Sequence, residues 1–249
     1  MKYIIGDIGN SSTKICILNN DFKILKSLNF ETIKIYEKKN YLKIILNKYL
    51  KKNVNQIFLF SSVVPSAFKK IKKEFKLTKY KLMEIKEFDL KRIIKINVKN
   101  KKQLGSDRIA NAIGAKKFKN SLIIDFGTAT TFDIIRNGVY EGGVIAPGIK
   151  LSIMNLSKST ALLPIINLKS YPKNYGKNTK EALNAGFVWG YEGLINNIIN
   201  KIIFKYKKKF KIILTGGYAN FFKIIIKRKL LIDQDITVKG ISKVYKEFI

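Results

Sequence analysis

The sequence predicts an α/β protein built of two similar halves, and two observations carry that expectation. Near its start the chain reads Ile4-Ile5-Gly6-Asp7-Ile8-Gly9-Asn10-Ser11-Ser12-Thr13, and in its middle Leu122-Ile123-Ile124-Asp125-Phe126-Gly127-Thr128-Ala129-Thr130-Thr131. Each is an apolar run, then Asp-x-Gly, then small polar residues that lead into a second apolar run. The two aspartates stand 118 residues apart (125 − 7), close to half of the 249-residue chain. The second observation is that short strand-like runs alternate with stretches whose apolar residues recur at helical spacing. The expected organisation is a first domain over 1–117, a second over 118–249, and a nucleotide cleft between them. No Pro/Ser-rich linker marks the boundary, which rests on the repeat alone.

The elements follow in order. Residues 2–18 read as strand, Gly-containing turn and strand, and Lys23–Phe30 as a third strand. Tyr41, Ile44, Ile45 and Tyr49 give 36–52 a helical spacing. Gln56–Val64 reads as a buried strand ending at Ser61-Ser62, where Pro65 blocks continuation. Phe68–Phe75 is a short basic helix, and 79–99 holds short β-like runs. A helix is expected over 105–117, with Ile109, Ala112 and Ile113 on one face and Ser106 placed to cap it. The second half restarts at Ser121 with paired strands through Ile135, turns at Asn137-Gly138 and runs to a Gly-rich stretch at 142–148. A long apolar-striped helix covers 179–205. Strand Phe210–Leu214 runs into Thr215-Gly216-Gly217, a helix starts near Ala219, and a strand is expected at 236–238.

Composition narrows the chemistry. Hydrophobic residues make up 46% of the chain, enough for a substantial core. No apolar run reaches the ~20 residues that a membrane helix needs, and the first strand begins at once, which speaks against a cleavable signal. The expected location is the cytoplasm, with no membrane partner. There is one cysteine, Cys16, and no histidine, so a His/Cys metal site and a His-based triad are excluded. A metal must take oxygen ligands, which favours a hard cation such as Mg²⁺. The net charge of +32 raises nucleic-acid binding as an alternative. Yet the lysine pairs (Lys38-Lys39, Lys51-Lys52, Lys69-Lys70, Lys72-Lys73, Lys101-Lys102 and the run Lys207-Lys208-Lys209) are scattered over the chain. The expectation is a diffuse basic surface without specific nucleic-acid binding.

Three motifs can carry chemistry. Asp7-x-Gly9-Asn10-Ser11-Ser12 puts a carboxylate at a strand end, where it can hold Mg²⁺ while the turn faces phosphate oxygens. Lys14 lies just beyond it. One such turn would be an ordinary hairpin; two copies at half-chain spacing favour a phosphate site. In the second copy, Asp125 can ligate a cation and Thr128 can meet a phosphate. Gly216-Gly217, between a strand and a helix, lets the backbone approach a flat or phosphorylated group. Gly105-Ser106-Asp107-Arg108 opens a helix whose dipole keeps the Asp107 carboxylate ionised and able to accept a proton. Arg108 offers a fork for a carboxylate or phosphate. A plain capping aspartate beside a surface arginine is the simpler alternative.

Read in order, Asp-x-Gly-Asn-Ser, Ser61-Ser62-Val63-Val64-Pro65, Gly105-x-Asp107-Arg108, Asp125-Phe126-Gly127-Thr128-Ala129-Thr130-Thr131, Gly142-Gly143, Pro147-Gly148, Asn178-Thr179 and Thr215-Gly216-Gly217 span almost the whole chain. The set resembles the type III pantothenate kinases of the actin-like ATPase and sugar-kinase superfamily. The resemblance implies two ribonuclease-H-like domains, a homodimer, and transfer of the ATP γ-phosphoryl group to pantothenate, the first step towards coenzyme A. It implies that Asp7, Ile8, Gly9, Asn10, Ser11, Ser12, Thr13 and Lys14 form the first ATP phosphate loop, with Mg²⁺ at Asp7. It implies ATP contacts from Thr128, Gly216 and Gly217, and K⁺ or NH₄⁺ at Asp125. Asp107 is the implied base, and Gly105, Ser106, Asp107, Arg108 and Thr179 the implied pantothenate contacts. A kinase of another small alcohol, or a basic regulatory protein on the same fold, is the alternative. The sequence departs from the family at its Tyr-x-Asn-Pro segment: Asn100 is kept, but Val98 and Lys101 replace the Tyr and Pro.

Overall fold

The computed structural model of the protein describes residues 1–50, 53–206 and 209–249. The basic pairs Lys51-Lys52 and Lys207-Lys208, and with them the end of the helix expected over 36–52, lie outside the described residues. In chain order the elements are β1 (Lys2–Ile8), β2 (Ser12–Leu18), β3 (Ile24–Glu31), α1 (Lys34–Glu37), α2 (Tyr41–Leu46), β4 (Val54–Ser62), α3 (Pro65–Phe75), β5 (Lys81–Glu84), β6 (Lys95–Ile96) and α4 (Ser106–Gly114). There follow β7 (Ser121–Phe126), β8 (Ala129–Arg136), β9 (Val139–Pro147), α5 (Ile149–Lys158), α6 (Thr179–Tyr206), β10 (Lys211–Gly216), α7 (Ala219–Phe222), β11 (Leu230–Ile232) and α8 (Ile236–Phe248). Two compact units result. Unit 1 comprises Met1–Lys119, Gly138–Glu141 and Asp235–Ile249; unit 2 comprises Asn120–Asn137 and Gly142–Gln234.

In unit 1 the sheet order is β3-β2-β1-β4-β5. β1 is antiparallel to β2 and parallel to β4, and β4 is parallel to β5. β1 is apolar almost throughout because both faces are covered. Ile4 and Ile8 join Ile15, Ile17, Phe58 and Phe60 on one face, under Ile35 of α1, Leu42 and Leu46 of α2, and Ala67, Ile71 and Phe75 of α3. Pro65 stands in the first turn of α3, where its missing N–H costs nothing. α4 packs along α8, and Tyr245 of α8 donates from its hydroxyl to the Ile57 carbonyl of β4 at 2.9 Å. Gly240 of α8 lies so close to the Ala110 carbonyl that a Cβ there would collide with it.

Unit 2 repeats the plan. β7 is antiparallel to β8 and parallel to β10, and β10 is parallel to β11, in the order β11-β10-β7-β8-β9. These five strands follow the order of unit 1 with each strand replaced by its counterpart, so the repeat read at Asp7 and Asp125 extends to five strands; the second sheet adds β6 beyond β9. Leu122, Ile124, Phe126, Ile212 and Leu214 form a core with Ile149 and Ile153 of α5, Val188, Tyr191, Ile195 and Ile199 of α6, and Phe222 of α7. β9 begins in unit 1, where Val139 and Tyr140 pair with Lys95 and Ile96 of β6. Among the described residues no helix is long and apolar enough to cross a membrane.

Four local expectations change. Residues 236–238 begin α8 and are not a strand: Ile-Thr-Val has strand propensity, but Val238, Ile241, Ser242 and Tyr245 make a buried stripe at helical spacing, and tertiary burial decides. The stretch from Tyr36 is split into α1 and α2 at Asn40, which adopts the left-handed conformation (φ 56°). Ser106 is not the cap of α4 but its first residue; Gly105 is the cap. α5, over Ile149–Lys158, has no counterpart in the sequence reading.

Candidate active site

Both Asp-x-Gly motifs stand at the carboxyl end of a central strand, where open α/β sheets place ligand sites. Asp7 lies opposite Lys14 of β2 on one side and Ser61 of β4 on the other; Ile8 faces Ser62. The turn between β1 and β2 closes with Gly9 N–H on the Ser12 carbonyl at 3.0 Å. It leaves Asn10, Ser11 and Ser12 exposed. Thr13 is fully buried, and its hydroxyl pairs with that of Thr32 at 2.9 Å. Thr32 in turn donates to the Gly9 carbonyl at 2.6 Å, and its N–H reaches the Ser11 carbonyl at 3.1 Å. Thr13 and Ile8 therefore brace the turn from below, and the exposed Asn10-Ser11-Ser12 edge is the part that meets solvent. Lys14 Nζ donates to Asp235 Oδ1 at 2.7 Å, a pairing 221 residues apart in sequence.

The Gly-x-Asp-Arg segment is tied to the same strand ends. Val63 N–H donates to the Ile8 carbonyl at 3.0 Å. Ser62 and Ser106 exchange two hydrogen bonds: Ser62 N–H donates to Ser106 Oγ at 3.0 Å, and Ser106 Oγ–H donates to the Ser62 carbonyl at 2.6 Å. Ser106 thus serves as a latch between β4 and α4. Next to it, Asp107 curls back over the helix start and accepts the Arg108 N–H at 2.7 Å. A Cβ on Gly105 would strike that carboxylate, so only glycine leaves it room. Burial pushes the Asp107 carboxyl above the usual carboxylate range; the Arg108 N–H and the charges of Arg108 and Lys86 pull the other way. Asp7, Ser61, Ser62 and Asp107 are thereby brought to one edge of unit 1.

Unit 2 gathers its own set. Asp125 of β7 lies opposite Thr131 of β8 and Thr215 of β10, so Thr215 takes the place that Ser61 holds beside Asp7. Gly127 N–H closes its turn on the Ala129 carbonyl at 3.1 Å. Gly216 has φ +83°, and a Cβ on it would lie 2.6 Å from Asp125 Oδ1. Gly217 N–H donates to the Phe126 carbonyl at 3.1 Å. Asp125 and the Gly216-Gly217 turn are therefore neighbours, as are Thr128 and Gly148, where an added Cβ would strike the Thr128 carbonyl. Thr179 is the exposed first residue of α6, preceded by Asn178, whose side chain accepts the Glu181 N–H at 3.0 Å. It shares no strand register with the Asp125 cluster.

The sequence reading missed several residues here. Glu84 ends β5, is pushed up in pKa by burial, and caps the turn that follows through Lys86 N–H at 2.7 Å. Its Glu84-x-x-Glu87 spacing is a capping-box signal that was there to read. Lys86, Thr32 and Asp235 carried no local signal. Asn100, the position kept from the Tyr-x-Asn-Pro segment, caps the short turn Lys101–Gln103 through Lys102 N–H at 3.0 Å.

Against known proteins, the family model for the type III pantothenate kinases matches residues 3–201. A type III pantothenate kinase from Pelagibacter ubique is 48% identical over 243 residues, covering 96% of this chain and 97% of its own. One from a Sulfurihydrogenibium species is 35% identical over 247 residues, with 94% and 96% covered. Among solved structures, the activator of the 2-hydroxyisocaproyl-CoA dehydratase from Clostridium difficile, with bound ADPNP, superposes with a TM-score of 0.57. It is 11% identical, with 99% of this chain and 97% of that chain covered. At that identity the likeness speaks for the fold, that of the actin-like ATPases and sugar kinases.

Proposed function

Because the chain belongs to the type III pantothenate kinase family, we propose that Asp107 takes the proton from the alcohol that it phosphorylates. The chain is a kinase that uses ATP to phosphorylate pantothenate in coenzyme A biosynthesis. What carries the assignment of the base is the Asp107 carboxylate itself: held over the start of α4, in the space left by the missing Cβ of Gly105, with burial raising its proton affinity.

The chemistry follows from phosphoryl transfer. The alcohol oxygen forms its bond to the γ-phosphorus as the bond to ADP breaks, and the alcohol proton moves to the Asp107 carboxylate. The transition state is loose and anionic, so positioning and charge neutralisation dominate. A carboxylate is base enough because the proton leaves late. A raised proton affinity brings its pKa nearer the working pH, which favours transfer. Arg108 would hold the pantothenate carboxylate through its fork, with Gly105, Ser106 and Thr179 as further substrate contacts.

For ATP, the exposed edge Asn10-Ser11-Ser12, with Asp7, Gly9 and Lys14, forms the first phosphate loop in this reading, and Thr128, Gly216 and Gly217 supply the second set. The donors at Asp7 are carboxylate and hydroxyl oxygens, with Ser61 beside it. Among the described residues no three acidic, Cys or His side chains cluster as a cage. Mg²⁺ fits that arrangement, since it takes one or two carboxylates and completes its shell with phosphates and water. Bound there it would neutralise phosphate charge. Asp125, against the Gly216 backbone, is our candidate for K⁺ or NH₄⁺. We further propose a homodimer working in the cytoplasm.

The test is Asp107→Asn, which keeps size and a hydrogen-bond acceptor but takes no proton. Steady-state phosphorylation of pantothenate should lose about 10²–10⁴-fold in kcat, with a smaller change in KM. A folded Asp107→Asn enzyme that keeps more than about a tenth of wild-type turnover, well short of that range, would refute the assignment.

A further inference from the structure

Asp107 is only as well placed as the loop that leads to it. That loop, residues 101–105, is short and carries the exposed lysines 101 and 102. It has two anchors. One is the Ser62–Ser106 latch described above. The other is Lys86, whose Nζ donates to the Lys102 carbonyl at 3.1 Å and to the Leu104 carbonyl at 3.0 Å. Leu104 directly precedes Gly105. Lys86 is itself aimed by a tight turn, Ile85–Glu87, that Glu84 and Glu87 fasten reciprocally: Lys86 N–H donates to Glu84 Oε2 at 2.7 Å and Glu84 N–H to Glu87 Oε1 at 3.1 Å. An exposed lysine loses about 2 kcal/mol of rotamer freedom when fixed. Two carbonyl acceptors and a capped turn are an arrangement that fixes it.

We propose that Lys86 is a positioning residue for the phosphoryl-transfer step, holding the Lys102 and Leu104 carbonyls so that α4 starts where Asp107 can reach the substrate hydroxyl. The charged groups bearing on Asp107 are Arg108 on its own helix and Lys86 from the turn after β5. Glu84, at the end of β5, bears on Ser106. Lys86 is thus both a mechanical anchor and a cation that favours the ionised base. This role rests on Asp107 being that base.

The experiment compares kcat–pH profiles of the wild type with Lys86→Met, Lys86→Gln, Lys86→Arg and Asp107→Asn, each checked by thermal melting. Lys86→Met is expected to lower kcat by up to about 10²-fold, the loss that misplacing a catalytic group by about 1 Å brings. Its acid limb should move to higher pH, because a cation that stabilised the carboxylate is gone. Lys86→Gln, which keeps a donor without charge, should shift the limb in the same direction. Lys86→Arg should restore both rate and limb. An acid limb that stays at the wild-type pH in Lys86→Met and Lys86→Gln overturns the proposal whatever their rates. So does a Lys86→Arg enzyme as impaired as Lys86→Met. Asp107→Asn separates the two readings. If it turns over rapidly, the base assignment fails and the role of Lys86 with it. If it is inactive beside an unmoved limb, only the role of Lys86 fails.

Discussion

Replacing Gly105 with alanine should damage catalysis without damaging the fold. Gly105 has φ −60° and ψ 139°, a backbone conformation open to any residue. Alanine therefore adds no backbone strain; the N-cap preference for glycine over alanine, on the order of 1 kcal/mol, is largely offset by the ~0.4–1 kcal/mol that alanine gains by restricting the unfolded chain. The new Cβ, however, would fall on the Asp107 carboxylate, with Val63 Cγ1 at 3.4 Å. The backbone fixes where that Cβ stands, so the carboxylate, the flexible partner, must yield. Ordinary van der Waals contact requires a retreat of roughly 1 Å, enough to break the 2.7 Å bond from Arg108 N–H. A misplacement of that size costs about 10²-fold, or about 2.7 kcal/mol of transition-state stabilisation. The assay is ADP release at saturating ATP and pantothenate, run beside a thermal melt. We expect kcat down by about two orders of magnitude, with Tm shifted by no more than about 2 °C. A Gly105→Ala enzyme with normal melting and kcat within about threefold of wild type, far from that loss, would show that the carboxylate position does not matter to the reaction.

Two further outcomes follow from the same geometry. The Asp107 carboxyl titrates above the usual carboxylate range because it is buried, so the folded protein binds that proton more tightly than the unfolded chain. Its contribution to stability is fully present below the unfolded pKa and is lost as pH rises through the folded one; at neutral pH, Asp107→Asn should melt no lower than wild type even as it loses activity, and a lower melting temperature would contradict the sign. Gly240→Ala sets two effects against each other: helix propensity favours alanine by about 1 kcal/mol, whereas its Cβ would strike the Ala110 carbonyl. Overpacking of about 1–3 kcal/mol should win and lower Tm by roughly 2–4 °C per kcal/mol; a variant that melts higher would mean that α8 can shift off α4.

What the sequence made legible was what is local or repeated. Asp-x-Gly turns between apolar runs revealed both central hairpins, and Ser61-Ser62 and Thr215-Gly216 marked the ends of the parallel strands beside them. Gly105-Ser106-Asp107-Arg108 stood out because a helix start concentrates signals within four residues. The bracing of the site was not legible. Ser62 and Ser106 meet across 44 residues, and Lys14 meets Asp235 across 221. Such pairs follow from sheet order, which periodicity does not encode. Thr13 shows the limit in the other direction: a phosphate-loop hydroxyl by pattern, it is turned inward to Thr32. α8 was misread because three β-branched residues at its start outweighed a stripe that closes only over the next two turns.

The packing of α8 on α4 also bears on how the molecule comes to exist during synthesis. The wall that α8 provides for unit 1 is encoded on the order of a hundred residues downstream of Lys119, beyond the whole of unit 2. A nascent chain elongates at ~5–20 residues per second. The apolar side of α4 and the Ile57 carbonyl of β4 therefore wait for several seconds, at this order of magnitude, before residues 236–248 emerge. Closing so distant a contact raises the loop entropy that must be overcome before the first half is complete. Unit 1 therefore lacks α8 until late in synthesis. Unit 2, whose two segments are separated only by Gly138–Glu141, can finish first. The half that carries Asp107 is thus the one whose parts lie farthest apart in the sequence.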